Sequence, residues 1–189
     1  MFSLRSPRVC VLLLAAFALL TGCKSSYSEK EVSSEAPPLL KSNTRIYVAI
    51  PFDATFKKEV AQGSGKQTAQ AFQVAFMKYT RSVYTSKFPE SAADALEIAR
   101  DGHMEYVLYP TLLRWEDRAT EFTGMRDKLA VRAELIDVRT GKVVFSREFE
   151  ATGKFMTDGG ETPKDLLDQP AEQFANSIFR RIEKPSALW

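Results

Sequence analysis

Between Thr44 and Pro51 the segment TRIYVAIP is rich in β-branched and aromatic residues, and in an extended chain Ile46, Val48 and Ile50 share one face. This pattern predicts a first strand. After a long loop, 52–63, the spacing changes to three and four: Ala69, Phe72, Ala75, Phe76 and Tyr79 predict a helix over 65–79, with Ser64 as its N-cap. Ser82 to Ser86 predicts a short second strand. Ala92, Ala95, Leu96 and Ala99 then mark a helix over 91–100 that Gly102 ends.

Period two returns at Tyr106 to Glu116, a strand bent or at an edge where Pro110 lacks a donor. It continues through Lys128 to Arg139, where Leu129, Val131, Ala133 and Leu135 face one way. Thr140-Gly141-Lys142 predicts a turn into a last strand over 143–150. Leu166, Leu167, Phe174, Ala175, Ile178 and Ile182 predict a helix over 164–183, which Pro170 starts or bends. The order β-α-β-α-β-β-β-α implies an α/β (α+β) domain, one mixed sheet of about five strands with helices packed on it.

The amino terminus follows different rules. Arg5 and Arg8 precede the apolar run Val9 to Leu20, which suits an export signal and is short for a bilayer-spanning helix. Leu20-Thr21-Gly22-Cys23 behind it matches the lipobox of bacterial lipoproteins. That resemblance implies cleavage before Cys23, a diacylglycerol on its thiol and usually an acyl chain on the new amino group. Residues 1–22 are then a signal peptide, and acyl chains at about 0.8 kcal/mol per buried methylene anchor the protein to a membrane. By the same resemblance, Lys24 in place of a retaining Asp implies the periplasmic face of the outer membrane. Residues 24–43, rich in Ser, Glu, Lys and Pro, read as a flexible tether, giving 23–43 as lipidated Cys and linker and 44–189 as a single globular domain. About 20 such residues, at roughly 3.5 Å each, reach at most on the order of 70 Å.

Charge and cysteine usage narrow the chemistry. Without Arg5 and Arg8 the 26 Lys and Arg fall to 24, balancing 24 Asp and Glu, so nothing in the charge suggests nucleic acid. Cys10 leaves with the signal and Cys23 carries lipid, so no thiol or disulfide is expected in the mature chain.

The segment Ala95 to Trp115, ALEIARDGHMEYVLYPTLLRW, resembles a recurring piece of periplasmic lipoprotein domains: a helix ending in Gly, a strand YVL and a long hairpin. With IYVAIPF and the turn DVRTGKVVFS it is similar to the fold of the TolB amino-terminal domain, the curli secretion lipoprotein and the lipoprotein activators of penicillin-binding proteins. Lipobox and domain together resemble a family of Gram-negative envelope lipoproteins. The resemblance covers roughly residues 44 to 183, and its motifs are structural, so it implies a fold and no active site.

Candidate chemistry is sparse. Gly63-Ser64-Gly65-Lys66-Gln67-Thr68 sits between strand and helix as a phosphate loop does, but that motif needs Gly at Val60 and Ser or Thr at Gln67. No nucleotide, cofactor or metal is expected. His103 is the sole histidine and reads as a solvated turn residue beside Asp101. Glu116, Asp117, Glu121, Asp158 and Glu161 stand among Arg114, Arg118, Arg126 and Lys154 as mixed surface charge, and a glycosidase-like pair among them is a question for coordinates.

Trp115, Phe122 and Met125 interrupt the charged hairpin end 114–128, and Phe52 and Phe56 lie beside Lys57 and Lys58. These five form the candidate interaction surface, although for Trp115 and Phe122 packing across the hairpin or under a helix is the favoured reading. The terminal Leu188-Trp189 is a further apolar end. The expected function is a non-enzymatic, membrane-anchored module that binds another envelope protein. A peripheral oligomeric part of a secretion or pore assembly, and a wall- or lipid-acting enzyme, are the alternatives.

Overall fold

The computed structural model describes residues 25–32, 37–117, 125–154 and 162–179. Their elements run β1 (Ser26–Glu31), β2 (Ile46–Val48), β3 (Thr55–Phe56), β4 (Glu59–Val60), α1 (Ser64–Met77), β5 (Val83–Thr85), α2 (Ala92–Asp101), β6 (Tyr106–Glu116), β7 (Lys128–Asp137), β8 (Lys142–Thr152) and α3 (Asp168–Ile178). The α+β class is as the periodicity predicts, but the main sheet has six strands, ordered β1-β8-β7-β6-β2-β5, and β3–β4 form a separate hairpin. β2 is parallel to both β5 and β6, whereas β6, β7, β8 and β1 are antiparallel in turn.

Two layers of helix cover this sheet unequally. On one face α1 and α3 bury Phe72, Phe76, Phe174 and Ile178 against Ile46, Val48, Leu108, Val131, Phe145 and Phe149. Phe174 is the hub, 5.2 Å from the Phe145 ring and 6.0 Å, edge-on, from Phe72. Each such ring contributes about 1.5–3 kcal/mol by leaving water. Lys78–Glu172 and Tyr79–Asn176 contacts tie the rims of the two helices. On the other face α2 packs Ala95 and Ala99 on Tyr47, Ala49, Val107 and Ile136.

Two expectations change with the sheet complete. Ser26–Glu31, read as tether, is the outermost strand, Ser26 opposite Thr152 and Glu31 opposite Arg147. Its polar, charged sequence misleads because an edge strand needs only one inward contact. Tyr27 supplies it by packing on Trp115, Leu129, Ala151 and Leu166, while Glu29 pairs with Arg147. The domain also begins before Thr44, since Leu40 is buried and its N–H donates to the Ile178 carbonyl at 2.7 Å.

Pro110 fits because β6 is flanked by β2 only as far as Leu108, so the missing donor lies beyond that pairing. A register shift between Leu112 and Arg114 inserts one extra residue, which turns Trp115 to the same face as Leu112. Helix α3 ends at Ile178, where Phe179 becomes extended and bridges Leu40, earlier than the predicted 183. Pro170 stands in its first turn, as predicted. Among the described residues no helix is long and apolar enough to cross a membrane.

Candidate functional site

The loop after β2 and the start of α1 form one tight assembly. The Asp53 carboxylate accepts the N–H of Gly63 at 2.9 Å through Oδ2 and of Gly65 at 2.8 Å through Oδ1. The internal carboxylate therefore occupies the place at the helix amino terminus where an external anion would sit, complementing the dipole. Gly63, with φ 83°, is the N-cap, and Ser64, predicted for that role, is buried instead and accepts the Ala54 N–H at 2.9 Å. Gly65 has no room for a side chain, because a Cβ there would meet the Pro51 carbonyl oxygen at 2.1 Å. The Gly/Ser motif is a packing device.

Beyond it, the β3–β4 hairpin turns through Lys57 (φ 48°) and Lys58 (φ 72°) and stands against the end of β6. A cleft of about 400 Å3 opens between them. Phe56, Val60, Trp115 and Pro163 give it an apolar wall; Glu59, Gln62, Gln67, Asp117, Thr162 and Lys164 give it polar groups. Thr162 is held by its N–H and hydroxyl, both donating to Asp165 at 2.8 Å, which fixes the turn that carries Pro163 and Lys164. Partial burial, and secondarily the neighbouring Asp127, pushes the Asp117 carboxyl above its ordinary value. Such a mixed lining suits an amphipathic ligand or chain segment.

The predicted surface residues separate on this frame. Phe56 and Trp115 meet at the cleft, but Trp115 is only 8% exposed and is mainly core, packed on Leu129 and Leu166 because of the inserted residue in β6. Of the two readings for Trp115, packing is the one observed. Phe52 (62% exposed) and Met125 (56%) are free at the surface outside the cleft. Phe122, Glu121, Asp158, Glu161, Leu188-Trp189 and the lipidation candidate Cys23 lie outside the described residues. His103 is exposed at the turn after α2 with φ 54°, so it, rather than Gly102, takes the left-handed position there. Glu116 lies within reach of Arg114, Oε1 3.7 Å from Nε. No three His, Cys, Asp or Glu side chains gather as a metal site among the described residues.

A cluster that periodicity does not reveal lies under the loop after β5. Buried Glu90 accepts the Tyr47 hydroxyl at 3.0 and 3.1 Å, its N–H donates to the Ile50 carbonyl at 3.0 Å, and its carbonyl accepts the Tyr109 hydroxyl at 3.3 Å. Burial pushes the Tyr47 hydroxyl up to about 12 and raises the Glu90 carboxyl, which the Tyr47 bond partly offsets. The sequence signal was Tyr47 between Ile46 and Val48, a hydroxyl on a strand buried on both faces.

These features define an α+β domain with its best-formed cleft at one end of the sheet. The chain belongs to the family described as domain of unknown function DUF4823, whose model matches residues 39–178. No curated protein matches it. Among solved structures it is similar to the PelC dodecamer from Paraburkholderia phytofirmans, at 18% identity and TM-score 0.64, covering 84% of this chain and 100% of that one. A DUF330 protein from Xanthomonas campestris is 16% identical at TM-score 0.50, covering 77% and 90%. Lipoprotein GNA1162 from Neisseria meningitidis is 18% identical at TM-score 0.39, covering 70% and 99%. For the first two, at these identities, the likeness is one of fold.

Proposed function

We propose that this protein is an envelope lipoprotein, anchored through lipid on Cys23 to the periplasmic face of the outer membrane, whose α+β domain binds another envelope protein without catalysis. The lipobox Leu20-Thr21-Gly22-Cys23 behind Val9–Leu20 carries this reading. The cleft beside Trp115, with its apolar wall and polar groups opposite, is the binding surface. The finer resemblance to TolB, curli-secretion and activator domains belongs to the same reading. Intact mass of the protein from its native host tests the anchor: a chain beginning at Cys23 with added acyl mass is expected, and an unacylated chain refutes it. Crosslinking in cells followed by mass spectrometry tests the module. Partners crosslinked through Phe56 and Lys164 are expected, and no crosslinked protein at the cleft removes it.

A second reading is self-assembly into a peripheral ring, favoured by the similarity over the whole length of a protein solved as a dodecamer. Light scattering of the detergent-extracted full chain separates the two: a single high-order species favours the ring, a monomer excludes it.

A further inference from the structure

We infer that the cleft-bearing end of the sheet lies directly on the bilayer, with the Lys57–Lys58 hairpin as a second contact to anionic phospholipid beside the lipid on Cys23; this rests on the lipid anchor proposed above. The first observation is where the chain enters the fold. Ser26 stands opposite Thr152, Thr152 opposite Lys128, and Lys128 opposite Glu116, so the start of β1 is level with the end of β6 and the rim of the cleft. Cys23 precedes Ser26 by three residues, which span at most about 10 Å. Three strand spacings separate Ser26 from Glu116, about 14 Å. A linker read as 20 residues long shrinks to one that cannot lift this end away from the membrane.

The second observation is what this end displays. The hairpin tip places Lys57 and Lys58 at positive φ, a conformation that suits Asn-Gly and disfavours lysine, so the fold tolerates strain to present two ammonium groups there. Lys57 Nζ lies 5.3 Å from the Phe56 ring centre, exposed Val60 lines the cleft, and exposed Met125 precedes Lys128 by three residues at this end. Lys128, Lys154, Lys164, Arg114 and Arg126 also belong to this end, against Glu59, Glu116, Asp117, Asp127 and Asp165. Lysines flanking small apolar contacts match an anionic phospholipid surface, to which cations near the headgroups are attracted. The opposite end, at the Arg139–Gly141 turn, is then the one turned to the periplasm.

The test uses the full, natively processed chain in vesicles of phosphatidylethanolamine and phosphatidylglycerol. Single variants Lys58→Cys, Met125→Cys and Arg139→Cys are labelled with an environment-sensitive fluorophore. Blue-shifted emission quenched by lipids with brominated acyl chains is expected at 58 and 125, with neither effect at 139. Equal water exposure at all three overturns the orientation. Labels at 58 and 125 shielded from iodide but untouched by bromine also overturn it, marking an interface between copies. Intact mass and flotation of the same sample separate the failures: an acylated, floating protein with a wet hairpin sinks only this inference, whereas an unacylated one sinks the anchor and the inference together.

Discussion

The two ends of the sheet are built on different principles. At one end the connections are short and closed by their own hydrogen bonds. Thr140 and Gly141 donate to Asp137 at 2.7 and 2.8 Å, Met104 N–H donates to the Ala99 carbonyl at 2.8 Å, and the Thr80 hydroxyl donates to the Thr44 carbonyl at 3.1 Å. At the other end stand the 52–63 loop, the β3–β4 hairpin, the Glu90 loop, the cleft and the entry of β1. That end itself has two layers. Its floor, made of Asp53, Gly65 and Glu90, is as strictly determined as the tight turns. Its rim, made of Phe52, Lys57, Lys58, Val60 and Met125, is exposed and partly strained. The demands of folding account for the floor and do not account for the rim.

The sharpest way to break this comparison is at the floor. Gly65→Ala places a methyl group 2.1 Å from the Pro51 carbonyl oxygen, backbone that cannot swing aside, and 3.2 Å from the Asp53 carboxylate that caps the helix. A loss of about 3 kcal/mol is expected, at the upper end of overpacking costs, read as a lower urea midpoint at unchanged slope. A neutral outcome means that the loop after β2 yields, and the distinction between floor and rim disappears.

Next is Tyr47, whose hydroxyl stays protonated in the folded state up to about 12 because it is buried, while the unfolded tyrosine ionises at its ordinary 10.0. Stability is therefore intact below that ordinary value and falls by about 2 kcal/mol as pH rises through the shifted one. Tyr47→Phe removes this alkaline slope, and at neutral pH costs about 1–3 kcal/mol because Glu90 loses the bond that offsets its burial. Urea unfolding across alkaline pH, variant against parent, checks both; Tyr106 and Tyr109 are raised too and remain in each, so the difference isolates Tyr47.

Gly141 is the reference at the tight end. Its φ of 69° strains any L side chain, although a Cβ would have only ordinary contact with Leu96 at 3.4 Å. Gly141→Ala should cost about 1–2 kcal/mol, less than at Gly65, because the penalty is conformational with no backbone collision. Thermal unfolding of the two alanine variants side by side ranks them.

How much of this was legible in the sequence follows the same division. β6 was read to the residue, and α1 and α2 to within two, because their buried faces repeat at the element's own period. β1 was lost because SYSEKE sits at an edge where five of six residues stay exposed, so no periodicity marks it. Trp115 stayed open to two readings because one inserted residue, Leu113, moves it to the other face, and an alternating pattern cannot show an insertion. Asp53 capping a helix ten residues on, and a cleft assembled from three separated segments, are tertiary facts with no local trace.

The smallest expected effect bears most directly on the rim. Each lysine at the hairpin tip holds a left-handed conformation that costs about 1–2 kcal/mol for an ordinary L residue. Lys57→Asn with Lys58→Gly relieves most of that, but glycine returns roughly 0.5–1 kcal/mol through its freer unfolded chain. The hairpin is only two residues per strand and closes through the Ala61 N–H on the Ala54 carbonyl at 2.8 Å, so part of the strain is already relaxed by local opening. A net gain of about 1 kcal/mol should remain, visible as a higher urea midpoint and slower amide exchange at Ala61. A hairpin that becomes more stable when its lysines are removed is one that folding alone did not choose. If the same double variant is less stable than the parent, the lysines are making contacts that hold the fold, and the rim has to be counted with the floor.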